Sequence, residues 1–358
     1  MKIEVVRPSE LTEGELAAWT RLQGGRPGLG TPFLSPGWAL AVERAYGDCA
    51  RARVAVVHEG GTPAGFLPVR AGRITAMPLG APMCDYQGLV AEPGLRCDPR
   101  DLVRALGVQR YDFTHMVGDD PSFAPYGRGR EESFLVDLSD GRAGWEARRK
   151  AAGSGLFKDV GRKRRKLERE VGEVVFTARS GSRADFETLL AWKRAQFRST
   201  GQTDVFDAGW TLGLVEDLFR REEKGCGGAL FTLHAGDKLL AAHFHLLGAG
   251  VVHGWLVTHD ASFDIYSPGL QLFDHVLTWM DGRYGEFDFG PVPYGFKDRF
   301  SDSRRPITHG FVGRPSPATL VRAAQYGVRG TAERLPLGRA SAWPGKAMRR
   351  VDLWRGLN

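Results

Sequence analysis

The segment from Val251 to Phe300 constrains this chain most. It reads as a strand (Val251–Thr258), a loop (His259–Tyr266), a helix opening at Ser267-Pro268-Gly269, a second strand at Glu286–Gly290, and a Pro/Gly/Tyr-rich stretch ending in Phe296-Lys297. A strand that feeds a helix starting Ser-Pro-Gly suits an anion. Ser can cap the helix, Pro fits its first position, and Gly lets a ligand approach the free backbone amides. Tyr266, Ser267, Pro268, Gly269, Leu270 and Gln271 are therefore candidate contacts for a phosphate-bearing ligand. Phe273, Val276, Leu277 and Met280 recur at helical spacing, so one face of this helix packs on a sheet.

The residues before this segment supply the sheet. Ala229–Ala235, Leu239–Leu247 and Val251–Thr258 read as three strands, joined by Gly236-Asp237 and Gly248-Ala249-Gly250 in antiparallel hairpins. His243 and His245 alternate along the second strand and share a face. Either is a candidate general base, because imidazole titrates near neutrality. No third ligand accompanies them, so no metal is expected. Asp288 sits between Phe287 and Phe289 in a central strand, where a carboxylate needs a partner such as a backbone amide or Lys297. Ser182–Thr200 and Gly209–Glu223 read as helices. Leu156–Val171 is a basic helix whose apolar stripe (Leu156, Val160, Leu167, Val171) has a gap at Lys163 or Arg164, so one of these faces inward.

Helix–helix–strands–helix–strand is the order of a GNAT fold. Asp260, Tyr266-Ser267-Pro268-Gly269, Phe287-Asp288-Phe289-Gly290 and Tyr294 with Lys297 resemble the GNAT acyltransferase superfamily. Within it the chain is most similar to the branch holding the CelD/BcsL-type acetyltransferases and the Fem-type aminoacyltransferases. Thr31-Pro32-Phe33-Leu34-Ser35-Pro36-Gly37-Trp38 resembles the start of the same branch, whose members place two GNAT-like halves in tandem. One departure stands out. GNAT enzymes usually carry Q/R-x-x-G-x-G/A at the helix start, and here Asp264 to Leu270 has a single Gly.

The resemblance implies transfer of acetyl from acetyl-CoA to an amine, the acceptor being an amino sugar of an exopolysaccharide, adhesin or cell-envelope precursor. It implies that Asp288, Tyr294 and Lys297 carry the chemistry, and His243 or His245, placed by the strand pattern, would be the base. In that reading Tyr294 protonates the departing thiolate, and Lys297 holds an anionic group or the oxyanion. Arg164, Lys193, Gln196 and Asp260 would contact substrate. Fem-type use of aminoacyl-tRNA is an alternative, disfavoured by the lack of a segment long enough for a coiled-coil arm. O-acylation of a hydroxyl and a non-catalytic sensor on the same fold are others. P-loop, Gly-x-Ser-x-Gly and His-Glu-x-x-His signatures are absent, which argues against NTPase, serine hydrolase and zincin chemistry.

The chain divides into residues 1–140, 141–313 and 314–358: two GNAT-like α/β domains and a basic C-terminal extension. In the first, Glu10–Leu22 and Pro36–Tyr46 read as helices, and Arg53–His58, Gly65–Arg70, Met83–Val90 and Glu132–Leu138 as strands. A polar stretch, Ser139–Gly155, separates it from the second. The net charge of +7 resides in the tail, whose nine Lys/Arg face two Asp/Glu while the rest of the chain balances. Arg349, Arg350 and Arg355, with Trp343 and Trp354, suit an anionic membrane surface or a cyclic dinucleotide as regulatory ligand. A specific nucleic acid polymer is not expected, because the folded part is neutral. Cys49, Cys84, Cys97 and Cys226 show no CxxC spacing, the N-terminus lacks an apolar signal region, and no run approaches the ~18 apolar residues of a membrane span. The expectation is a reduced cytoplasmic protein, peripheral at most at the inner face of the membrane.

Overall fold

The chain folds around one long mixed sheet. A computed structural model describes residues 1–26, 28–47, 51–117, 121–223, 225–336 and 338–358. The first half supplies strands β1 (Lys2–Val6), β2 (Ala52–Glu59), β3 (Thr62–Ala71), β4 (Thr75–Pro78), β5 (Val90–Ala91), β6 (Arg110–Met116) and β7 (Gly127–Asp137). The second supplies β8 (Val174–Thr177), β9 (Glu222–Glu223), β10 (Cys226–Ala235), β11 (Lys238–Leu247), β12 (Val251–His259), β13 (Glu286–Asp288) and β14 (Ser303–Gly313). Helices α1 (Glu13–Gly24), α2 (Pro36–Tyr46) and α3 (Pro99–Ala105) belong to the first half. They are followed by α4 (Gly141–Ala151), α5 (Leu156–Glu170), α6 (Arg183–Ser199), α7 (Trp210–Arg220), α8 (Pro268–Met280) and α9 (Gly295–Phe300). Two more, α10 (Pro317–Arg334) and α11 (Trp343–Leu357), form the tail.

The strand order is β1-β2-β3-β4-β6-β14-β7-β13-β12-β11-β10-β8. The same motif occurs twice: antiparallel strands, then one parallel neighbour, β4 with β6 and β12 with β13. This is the tandem α/β architecture expected from sequence. The β10–β11 and β11–β12 hairpins form as the Gly turns require.

Several local expectations need correction. Met83–Val90 is not a continuous strand: Val90–Ala91 pairs with β3, and Gln87 makes a single parallel bridge to Met116. The preceding loop is nonetheless buried, since Tyr86 packs in the core and the Gln87 side chain accepts from the amides of Thr114 and His115, doing the work of a ladder. Ser139–Gly155 is not a linker but contains α4, which buries Trp145 and ties its indole N–H to the carbonyl of Phe300 at 3.0 Å. In α11, Met348 is buried, whereas Val351 and Trp354 face outward.

The pairings also cross the boundaries placed at residues 140 and 313. β14 lies between β6 and β7, joined to both. Phe33 and Trp38 of the first half share a core with Phe186, Leu214 and Phe244 of the second. The tail packs on the first half. Arg70 donates to the carbonyls of Arg355 and Gly356, and Asp112 is approached by Arg110, Arg322 and Arg355 at 2.8, 3.0 and 3.1 Å. Cys84, Cys97 and Cys226 are buried and form no disulfide, while Cys49 lies outside the described residues. Among the described residues no helix is long and apolar enough to cross a membrane.

Candidate active site

β12 and β13 run side by side only briefly. Val251, Val252 and His253 pair with Glu286, Phe287 and Asp288. Beyond that point β12 continues to His259 against β11, and among the described residues no strand pairs its other edge. The sheet is thus split, with its vertex at His253 and Asp288. Backbone groups of β12 past the vertex are left for a ligand.

A cleft of about 870 Å³ opens beside this split. Its floor includes His243 and Val257, one wall is α6 with Trp192 and Gln196, and its far end is the start of α8 at Ser267 and Gly269. Phe273 and Phe296 line the end toward the vertex. Gly269 lines the cleft, and a Cβ there would stand 3.4 Å from His259 Nδ1 and 3.9 Å from His243 Nε2, ordinary contacts that the fold accepts.

The helix start differs from the expectation in one respect. Ser267 does not cap α8 through its side chain; it adopts the left-handed conformation (φ 51°, ψ 56°). Its Oγ instead accepts from Lys163 Nζ at 2.6 Å. Lys163 is the cation that the gap in the α5 stripe brings to this helix terminus. Arg164 is engaged nearby with Asp274 at 3.1 Å. Pro268 and Gln271 are buried beneath the helix start, and Gln271 Nε2 donates to the carbonyl of Tyr266. The Tyr266 hydroxyl donates to Glu170 on α5, so its ring braces the loop rather than lining the cleft. Leu270 lines the cleft. Asp260 borders it too, accepting from the amide of Ser262 to shape the turn before α8.

His243 and His245 share a face, and only His243 borders the cleft. Burial, reinforced by neighbouring His245, His259 and Lys193, holds the His243 imidazole well below its ordinary range, and it is neutral. His245 is interior among aromatic rings, both nitrogens lack partners, and burial pushes it down to about 3. Lys193 is half-buried on α6. It donates to Gln196 Oε1 at 2.9 Å, and burial lowers its ammonium to about 8.

Asp288 is fully buried, and of the two anticipated partners it has the backbone amide and not Lys297. It accepts from the Tyr86 hydroxyl at 2.7 Å, Ser133 Oγ at 3.0 Å and the amide of Gly290 at 2.8 Å. Arg305 of β14 completes its shell at 2.8 Å and also grips Glu286. Lys297 instead donates to the carbonyl of Gly290 at 3.2 Å, between the rings of Phe134 and Tyr294. Burial brings it down to about 8, against the pull of Asp85 and Asp288. Tyr294 is 51% exposed, stacked on Phe296.

Two further residues stand at the vertex, His253 and Asp85. His253 Nε2 lies 2.8 Å from Asp85 Oδ2, and its Nδ1 faces Asp288 Oδ1 at 3.7 Å. Asp85 comes from the loop misread as a strand, so no periodicity could have placed it here. In the tail, Arg349 and Arg350 are exposed. Arg355 is held between Asp112 and Asp352 and is not available as a free ligand contact. Among the described residues no three His, Cys, Asp or Glu side chains converge on a metal position.

Residues 154–298 match the model of the acetyltransferase (GNAT) domain. This segment is a GNAT-like domain. The GNAT-like architecture extends beyond it: the crystal structure of FemX superposes with a TM-score of 0.56, at 10% identity, over 90% of this chain and 99% of its own. A tandem GNAT protein from the clavulanic acid biosynthesis pathway gives 0.50 at 12% identity, over 88% and 100%. The C-terminal domain of a putative lysylphosphatidylglycerol synthetase from Agrobacterium fabrum gives 0.50 at 13%, over 87% and 95%. At such identities the likeness concerns the GNAT-like fold. No curated protein matches the chain by sequence.

Proposed function

We propose that the protein is an acyltransferase of the GNAT type, using acetyl-CoA to acylate an amine on an amino sugar of a bacterial exopolysaccharide or cell-envelope precursor. The observation that carries the reading is the continuity of the cleft. It runs from the helix start at Ser267, which Lys163 holds, along β12 at Val257, Thr258 and His259, past the point where β12 leaves β13. Phosphates of the donor would lie at the amides of α8, and the pantetheine arm along the unpaired edge of β12. Backbone N–H groups of that edge would stabilise the oxyanion, and alignment of the two reactants would supply much of the rate. Membership of the CelD/BcsL-type branch fits this reading. Fem-type chemistry is the competing one, since the fold is shared with FemX.

Calorimetry tests the donor site. Acetyl-CoA should bind the wild type, and Gly269→Val should weaken it at least tenfold, about 1.4 kcal/mol. Unchanged affinity in the folded variant removes the site.

A second reading concerns the tail. Trp343 and Trp354 are 69% and 66% exposed, beside exposed Arg349 and Arg350. Such a surface suits an anionic ligand, a lipid surface or a cyclic dinucleotide. Binding of the intact protein to anionic vesicles or cyclic di-guanylate at ~0.15 M salt is the measurement. Binding to neither leaves the tail a packing element only.

A further inference from the structure

The group of charges at the vertex of the split is far more elaborate than strand pairing needs. Asp288 is held by four donors, and Arg305 spans it and Glu286. His253, fully buried, stands between Asp288 and Asp85. Within this group the Asp85 side chain is 33% exposed, while His253 and Asp288 show no accessible surface. Asp85 is thus the most accessible carboxylate of the group, ahead of Glu286 at 25%.

Its position is fixed from two sides. His253 holds Oδ2, and the same oxygen packs against Gly290, where a Cβ would fall 2.9 Å away. Gly290 follows the last paired residue of β13 by two positions and takes φ +75°, a conformation glycine adopts without strain. A side chain here would push the carboxylate out of the mouth of the split. Lys297 and His115 also face Asp85 electrostatically, and with His253 they favour its ionised form against the cost of burial.

We propose that the Asp85 carboxylate, positioned by His253, receives the proton that the acceptor nitrogen loses as it attacks the acyl thioester. This rests on the acyl-transfer reading above. The acceptor enters as the free amine. Its lone pair forms the C–N bond at the thioester carbonyl carbon while the carbonyl π electrons move to oxygen. Attack makes the nitrogen cationic and acidic, so a carboxylate is basic enough to take its proton. Collapse restores the carbonyl and breaks the C–S bond, and the proton on Asp85 is returned through solvent to the departing thiolate. Amine and thioester become amide and thiol, with no other reactant. Asp85 is the catalytic residue in this assignment. His253 and Asp288 are positioning residues.

Asp85→Asn keeps an oxygen to accept from His253, so shape is preserved while the base is lost. The probes are acetyl-CoA with glucosamine, and acetyl-CoA with hydroxylamine as a small nucleophile, CoA release being followed by a thiol reagent. Asp85→Asn should lower kcat/KM about 10²-fold or more while leaving the affinity for acetyl-CoA unchanged by calorimetry. Asp85→Glu should recover part of the rate, and His253→Gln should lower kcat while leaving the KM for acetyl-CoA and the fold unchanged. Wild-type kcat/KM in folded Asp85→Asn overturns the assignment and leaves the acyl-transfer reading standing. A wild type that neither binds acetyl-CoA nor releases CoA with either nucleophile overturns that reading, and the role of Asp85 with it.

Discussion

Replacing Asp112 with Asn should detach the tail. The carboxylate is nearly buried and meets Arg110 at 2.8 Å, Arg322 at 3.0 Å and Arg355 at 3.1 Å. Asp352 is the second acid, bound to Arg322 at 2.7 Å and Arg355 at 3.4 Å. Three cations thus share two anions, and the variant leaves three with one. Arg322 is only 3% exposed, so it cannot recover hydration without moving. Removing one member of a buried ion pair costs about 3–5 kcal/mol, because the partner is left uncompensated. Asp352 remains, which places the expected loss near the lower figure, about 3 kcal/mol. Urea unfolding at pH 7 measures it, and limited proteolysis reports whether cleavage shifts to the segment joining β14 and α10. Arg355→Met, at a half-buried position, should cost about 1 kcal/mol or less. A loss under ~1 kcal/mol for Asp112→Asn, with an unchanged digest, refutes the claim that this cluster anchors the tail.

Two further outcomes are expected. Lys297→Ala should lower turnover about 10²-fold if its ammonium meets the developing oxyanion; full activity would assign it to packing alone. His245 stays neutral in the fold down to about pH 3, whereas in the unfolded chain it protonates near 6.5. The unfolded state therefore binds the extra proton between those values, and stability falls as pH drops below 6.5. His245→Phe should remove that contribution, reducing the loss between pH 7 and pH 5 by about 2 kcal/mol in urea titrations. An identical loss in both proteins would mean that His245 is hydrated or paired.

The sequence was legible where a pattern repeats locally. Pro36–Tyr46 and the strands on either side of Gly236 and Gly250 follow from periodicity and turn chemistry. It was silent where meaning depends on distant residues. Arg305 reads as one more surface cation, yet it neutralises Asp288 because β14 lies next to β7. Asp85 sits in a stretch with no period, and only the fold brings it to His253. Lys163 was visible as a gap in a stripe, but its contact with Ser267 required the packing of α5 on α8. The left-handed Ser267 could not be foreseen, since serine at a helix start ordinarily caps it.

The place of β14 has a consequence for how the molecule is made. Until Ser303–Gly313 leaves the ribosome, β6 and β7 have no neighbour on their facing edges. A nascent first half therefore carries three open rows of amides and carbonyls, one on β6 and both edges of β7, which await β14 and β13 and are templates for pairing with other chains. Closure waits for nearly the whole polypeptide, and such late, non-local pairing is slow and exposed to aggregation. A fragment ending near residue 140 should accordingly be insoluble when expressed alone. Supplying the β14 segment in trans is the rescue to try.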